Sequence, residues 1–336
     1  MKLPGKGLTL LMVIAMVLIM SLIVAGCSSK NAPTNASSKP SNSNLTKVAL
    51  VINGPVNDGG WNALPWQGLQ KIKAKYGCDI AVSENVKQSD YESAFRDYAN
   101  QGYSLIVANG FEFTDAVKDV APDFPNVKFA ILNGGYSKDN VISLIADEYN
   151  KGFLAGALAG YMTKTNKVGC IGGMAVPAIT NGSSGFKAGA AYTNPKAKMV
   201  FTMANSFDDI ALGKEIAIAQ ITAENVDVIY SIASSVDSGA IDGAKSLGKY
   251  VIGQPNDRLD EAPGTVIGSV TTSVPQMLML VADSIAGGTF KGVDFNGSLD
   301  NDVIGYGRFG KEVPQNVQDK LAQLVKDIKS GKVKTK

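Results

Sequence analysis

The residues best suited to hold a ligand fall in one short run, Asn57-Asp58-Gly59-Gly60-Trp61-Asn62, with Trp66 one helical turn past Asn62. Asp58 and Asn62 offer an acceptor and an amide that can read the edge of a heteroaromatic ring, and an indole can stack on its face. The glycines allow close backbone approach, and a helix start just after them presents free N–H groups. The competing assignment is that Asp58 caps that helix and both tryptophans pack in a core. Trp61 fits the core better, whereas Trp66, next to Pro65 on the same early turn, suits either role.

A second loop, Asn109-Gly110-Phe111-Glu112-Phe113-Thr114-Asp115, carries two aromatics, Phe111 and Phe113, one of which is expected to pack and the other to wall a pocket. In the second half, Gly182-Ser183-Ser184-Gly185-Phe186 and Ser206-Phe207-Asp208-Asp209 are expected at matching strand ends. There Phe186 or Phe207 would close on a flat ligand, with Asp208 beside it. Gly253-Gln254-Pro255-Asn256-Asp257-Arg258 follows another strand and adds Asn256 and Asp257 as hydrogen-bonding groups.

Composition removes most other chemistry. The 336 residues include no histidine, so the commonest general base and metal ligand are missing. Beyond Cys27 there are only Cys78 and Cys170, in apolar strand-like contexts. They read as two buried free thiols, with a disulfide as the alternative. No zinc-type spacing and no Ser/His/Asp or Cys/His triad exists, and no cofactor motif is present. Paired acids, Asp208 with Asp209 and Asp257 with Asp260, leave room for a carboxylate-dependent nucleoside hydrolase, but adjacent acids ordinarily cap helices. A net charge of +2 with no basic cluster excludes nucleic acid as a partner.

The elements that must position these loops alternate strand and helix. Apolar runs at 47–52, 79–82, 104–108, 127–132 and 141–145 are separated by helices at 61–76, 89–101 and 113–121, the βαβ pattern of a parallel sheet. A small-residue helix at 151–163, suited to close packing, restarts the rhythm, with strands at 167–171, 199–202, 226–230 and 250–252. The fold class is therefore α/β, with two Rossmann-like lobes joined by a multi-strand hinge and a ligand crevice at the facing strand ends. Lobe 1 is expected at 46–147 with a return segment near 254–285, and lobe 2 at 148–253 with a return near 286–310. A C-terminal helix and solvated basic tail are expected at 311–336.

Before the first lobe, Lys2 and Lys6 precede an apolar run that ends in Val24-Ala25-Gly26-Cys27, which resembles the bacterial lipobox. That resemblance implies a leader over 1–27, a lipid (palmitate among its acyl chains) on Cys27, and a cell-membrane anchor on the extracytoplasmic face. An uncleaved membrane anchor is the alternative. Residues 28–45, nearly all Ser, Asn, Pro, Ala and Lys, read as a flexible tether.

From Lys47 to about Ser273 the chain resembles the basic membrane protein (BMP) family, the purine nucleoside receptor A-like substrate-binding lipoproteins of ABC transporters. The matching segments are Asp58-x-Gly-Trp-Asn62, Gly110-Phe111-Glu112-Phe113-Thr114-Asp115-Ala116-Val117, Gly152-Phe153-Leu154-Ala155-Gly156, the run from Thr163 to Gly173, and Gly185-Phe186-Lys187-Ala188-Gly189. The resemblance implies the type I periplasmic-binding-protein fold and no enzymatic activity. It further implies that a purine nucleoside or nucleobase is captured and delivered to permease and ATPase subunits. It places Asn57, Asp58 and Asn62 against the purine edge and Trp66 on its face, with Phe207, or alternatively Phe186, opposite. Two positions depart from the family pattern: Pro255 stands where a ribose-binding carboxylate is usual, and no basic residue occurs in Val270-Thr271-Thr272-Ser273. Asp257 is the candidate to compensate. A ligand-sensing regulatory lipoprotein of the same fold is the alternative function.

Overall fold

Lys47–Val51 (β1) is buried along almost its whole length, as a central parallel strand covered on both faces must be. It pairs in parallel with Asp79–Ser83 (β2) on one side and Leu105–Asn109 (β3) on the other. Lys128–Leu132 (β4), Val141–Ala146 (β5) and Phe295–Gly297 (β11) complete a six-stranded sheet ordered β11-β5-β4-β3-β1-β2. The computed structural model describes residues 44–336 other than Gly59, so Cys27, the leader and most of the tether lie outside the described residues.

The second sheet repeats the first. Lys167–Gly172 (β6), Lys198–Met203 (β7), Val228–Ile232 (β8), Tyr250–Gly253 (β9), Val266–Thr272 (β10) and Ile304–Phe309 (β12) are ordered β12-β10-β9-β8-β6-β7, and only β12 runs antiparallel to its neighbour. Both sheets thus carry the 2-1-3-4-5 order of a doubly wound unit. The topological switch point lies between β1 and β3 in one lobe and between β6 and β8 in the other.

Three crossovers join the lobes, and all leave or enter at the carboxyl ends of strands. From β5 the chain passes into Glu148–Met162 (α4), from β10 into Val274–Ala286 (α8), and from β11 into β12. They are laced together by backbone bonds: Asp147 N–H donates to Gly297 O at 2.7 Å, and Ser273 N–H to Val303 O at 2.6 Å. Facing carboxyl edges are the consequence. The return segments differ from the expected ones: β10 stays in lobe 2 beside β9, so lobe 1 is re-entered only after Thr272, and residues 295–297 still belong to lobe 1 beside β5. The local pattern marks these strands, but which sheet they join is decided by pairing.

The small-residue helix packs as its composition requires. A Cβ on Gly152, Gly156 or Gly160 would collide with Gly182, Phe186 or Ala190 of Pro177–Thr193 (α5), so the two backbones touch through a glycine seam. This also explains why the Gly-Ser run at 182–186 is helix rather than loop. The remaining helices are Ala63–Tyr76 (α1), Tyr91–Asn100 (α2), Thr114–Val120 (α3), Ile210–Glu224 (α6), Val236–Ser246 (α7) and Gln315–Lys329 (α9). The basic tail is not simply solvated. Lys332 pairs with Asp327 of α9 at 3.2 Å, and Tyr149 Oη donates to Thr335 O at 2.8 Å. Among the described residues no helix is long and apolar enough to cross a membrane.

Candidate functional site

At the switch point of lobe 1 the loops after β1 and β3 lie side by side because those strands are neighbours. Asn53 Nδ2 donates to Glu112 Oε1 at 2.7 Å across the gap. Deeper, Asn109 Nδ2 donates to Asn62 Oδ1 at 2.9 Å in a buried amide pair, and the Asn109 Oδ1 acceptor has no partner among the described residues. Phe111 stands 54% exposed on the rim, while Trp61 and Trp66 are partly buried, each with its inner face on the core. Asn57 is exposed beside them.

Asp58 is spent on the helix. Its Oδ1 accepts from the N–H of Gly60 at 2.9 Å and Ala63 at 3.0 Å, and its Oδ2 from that of Asn62 at 2.9 Å. The first turn of α1 has no acidic residue of its own and Asn62 makes no side-chain cap, so Asp58 fills that role from four residues upstream. Of the two assignments open in the sequence, the cap is the one the geometry displays.

Glu112 was legible as part of a loop but not as a group with a task. Its carboxylate packs over Gly110, whose φ of 141° and lack of a Cβ make the room. Burial raises its carboxyl above the ordinary carboxylate range, with only its own backbone N–H opposing.

On lobe 2, Phe207 follows β7 and lies against Gly173, which follows β6, and its carbonyl accepts from Ser235 N–H at 2.8 Å. That places a partly buried ring at the switch point of the second sheet. Asp208 is exposed and accepts from Ser206 Oγ at 3.2 Å, while Asp209 caps α6 through Leu212 N–H at 2.9 Å.

Beneath them is a buried polar cluster that sequence reasoning missed. Lys151, on the first turn of α4, pairs with Glu148 at 2.6 Å and donates to Thr272 Oγ1 at 3.2 Å and Gln254 Oε1 at 3.5 Å. Gln254 Nε2 donates to Asp237 Oδ2 at 2.7 Å, and Asp237 Oδ1 accepts from Ser231 Oγ at 2.5 Å and Ala233 N–H at 2.8 Å. Burial pushes the Asp237 carboxyl up to about 6, against the Ser231 hydroxyl, the nearby Arg258 and Gln254. The Tyr230 hydroxyl is also buried and has no partner among the described residues. The available signal was a lone lysine opening an otherwise apolar, glycine-rich helix.

Three expected site residues are placed elsewhere. Phe113 is fully buried, its ring 4.1 Å from that of Tyr91, because the turn after β3 points it into the core and leaves Phe111 outside. Phe186 is fully buried within α5 and stacks on Tyr230 at 5.2 Å, so it is core and Phe207 is the ring at the strand ends. Asp257 does not fill the space beside Pro255. Its Oδ2 accepts from Arg308 Nε at 2.7 Å and its Oδ1 from Leu259 N–H at 3.1 Å. Burial raises its carboxyl, but the Arg308 bonds outweigh this and hold it below the ordinary range. Asn256 stays half-buried in the same loop.

Of the paired acids, Asp257 and Asp260 each bind Arg308 at 2.7 Å, and Asp209 caps α6. Among the described residues no three metal-ligating side chains gather, and Cys78 and Cys170 are both buried free thiols. A hollow of about 460 Å³ lined by Asn44, Ser104 and Lys128 opens at the amino-terminal edge of the first sheet, away from these loops.

Over 294 or more residues the chain resembles curated bacterial proteins. The ABC transporter nucleoside-binding protein BmpA of Lactococcus lactis is 30% identical, over 93% of this chain and 94% of its own. The transcriptional activator protein med of Bacillus subtilis is 28% identical, over 94% and 96%. Among solved structures, an ABC transporter solute-binding protein from Aeropyrum pernix superposes with a TM-score of 0.76 at 22% identity, covering 86% of this chain and 92% of that one. The two-lobed architecture is the type I periplasmic-binding-protein fold. Because residues 45–336 match the family model described as ABC transporter substrate-binding protein PnrA-like, the chain belongs to the Bmp family of substrate-binding proteins.

Proposed function

We propose that the protein captures a purine base or purine nucleoside between its lobes, on the extracytoplasmic side, and delivers it to the permease and ATPase of an ABC transporter. The chain is a binding protein, not an enzyme, by its family. The observation that carries the ligand class is the pairing of flat apolar surfaces with amide and carboxylate groups at the switch point of lobe 1, with an aromatic ring at that of lobe 2. Trp66, Trp61 and Phe111 stand near Asn62, Asn109 and Glu112 in one lobe, and Phe207 stands in the other. A relative named as nucleoside-binding supports the same class. Transport is preferred over sensing because the family description is a transporter component, although one relative is named an activator.

Among the described residues the acids that follow β9 are all engaged, Asp257 and Asp260 with Arg308 and Glu261 with Arg258, so none of them is free for ribose. Pro255 can accept only through its carbonyl, which is taken by Thr272 N–H at 2.7 Å, and Asp257 and Asp237 are engaged. Calorimetry with matched pairs, guanine with guanosine and adenine with adenosine, is expected to give affinities within about tenfold of each other in each pair. A nucleoside preference above 100-fold refutes that expectation, and no binding to any of the four refutes the purine reading. Lipidation of Cys27 completes the proposal. The intact mass of membrane-extracted protein should show the leader removed and acyl chains added, and a full-length unmodified chain refutes it.

A further inference from the structure

Asp58 and Glu112 both lie on first-lobe loops at the expected ligand face, and their circumstances differ. Asp58 has both oxygens turned onto backbone N–H groups of its own helix start. Glu112 gives Oε1 to Asn53, whereas Oε2 takes no hydrogen bond from any other described residue. Among the described residues no Lys or Arg pairs with Glu112. Burial without a countercharge is what raises its carboxyl. It sits one residue after the exposed Phe111 and at the switch point, where an open parallel sheet binds its ligand.

We propose that Glu112, rather than Asp58, is the carboxylate that reads the ligand edge, and that it selects a purine with adjacent N–H donors on its six-membered ring, the guanine type. This rests on the purine reading above. An ionised carboxylate only accepts. The guanine edge presents N1–H and the 2-amino group side by side, two donors that one carboxylate can bind together. Adenine presents an acceptor at N1 beside its 6-amino donor, so its N1 lone pair would face carboxylate oxygen. Phe111 lies next in sequence and supplies an apolar face beside that edge. Asn53 holds the carboxylate across the β1 and β3 loops, so the group is preorganised.

The test is calorimetry of the full chain with guanosine and adenosine, on wild type and on Glu112→Gln. Wild type is expected to bind guanosine at least tenfold more tightly than adenosine. Glu112→Gln keeps an oxygen for Asn53 but places an amide N–H against the guanine donors. Guanosine should therefore weaken at least tenfold, adenosine should hold or tighten, and the melting temperature should stay within 2–4 °C, about 1 kcal/mol for a chain of this size. Equal wild-type affinities for the two nucleosides overturn the assignment without any variant. So does a Glu112→Gln protein in which both weaken alike or neither changes; in each case the purine reading stands. Wild type that binds neither nucleoside nor their bases overturns the purine reading and this assignment with it. Asn53→Ala releases the carboxylate without removing it, so guanosine should weaken more than adenosine, but by a smaller factor than in Glu112→Gln. An Asn53→Ala protein that weakens adenosine more than guanosine would also overturn it.

Discussion

Replacing Asp58 separates the role its geometry shows from the role the family resemblance implies. Its carboxylate holds three backbone N–H groups at 2.9–3.0 Å, from Gly60, Asn62 and Ala63. Loss of a helix cap costs about 0.5–2 kcal/mol. Asp58 and Gly60 lie near the surface, where water can replace the lost bond, so that contact adds little. The Asn62 N–H belongs to a buried residue and is harder to rehydrate, which moves the expected cost for Asp58→Ala to about 1–2 kcal/mol. At roughly 2–4 °C per kcal/mol, the melting temperature should drop by a few degrees. Asp58→Asn keeps one oxygen and should lose about half as much.

The effect reaches the ligand only through Asn62, whose side-chain oxygen accepts from Asn109. Loosening that amide pair should weaken a base and its nucleoside by similar factors, on the order of tenfold or less. Thermal melts paired with calorimetry on the same preparations decide the matter. An unchanged melting temperature together with a loss of more than 100-fold in affinity would show that Asp58 meets the ligand directly, and the capping argument would be wrong.

Two further predictions test the scaffold. Gly156→Ala should destabilise by about 1–3 kcal/mol or more in urea unfolding, because the new Cβ collides with the Phe186 carbonyl and lies 2.7 Å from Ala190 N; Gly305→Ala, which meets nothing within 4 Å, should stay within about 0.5 kcal/mol, and equal costs for the two would refute the seam. Asp237, raised to about 6 from 3.8 by burial, binds its proton more tightly folded than unfolded, so its contribution falls as pH rises from about 4 to 6, by on the order of 3 kcal/mol in all. Asp237→Asn should remove that downward slope from a series of urea midpoints between pH 4 and 7, and identical slopes in the two proteins would contradict it.

Periodicity carried the fold a long way. Strands such as Val48–Val51 and Val228–Ile232 announce themselves as unbroken apolar runs, and the glycine-rich stretch from Gly152 to Gly160 signals close helix packing before its partner is known. What periodicity lacks is partnership. The run at Val266–Thr272 is visibly a strand, but its place beside β9 depends on a ladder with residues about fifteen positions earlier, which the local pattern does not supply. The Gly-Ser run ending at Phe186 has loop composition in isolation; only the facing glycines of α4 make it a helix and send Phe186 inward.

The site divides along the same line. Asp58 lies four residues from the helix start it caps, a contact spacing alone can suggest and did, as one of two alternatives. Glu112 meets Asn53 across 59 positions, and the two are neighbours only because β3 returns to pair with β1. A carboxylate whose partner is that remote looks, in sequence, like one more loop acid between two phenylalanines. Lys151 is the same case, since Gln254 and Thr272 reach it from the ends of two other strands. Local reach therefore reveals which acids the helices consume, and sheet order reveals which are left to face a ligand. The role proposed for Glu112 rests on the second of these, because binding loops in this fold are gathered at a switch point.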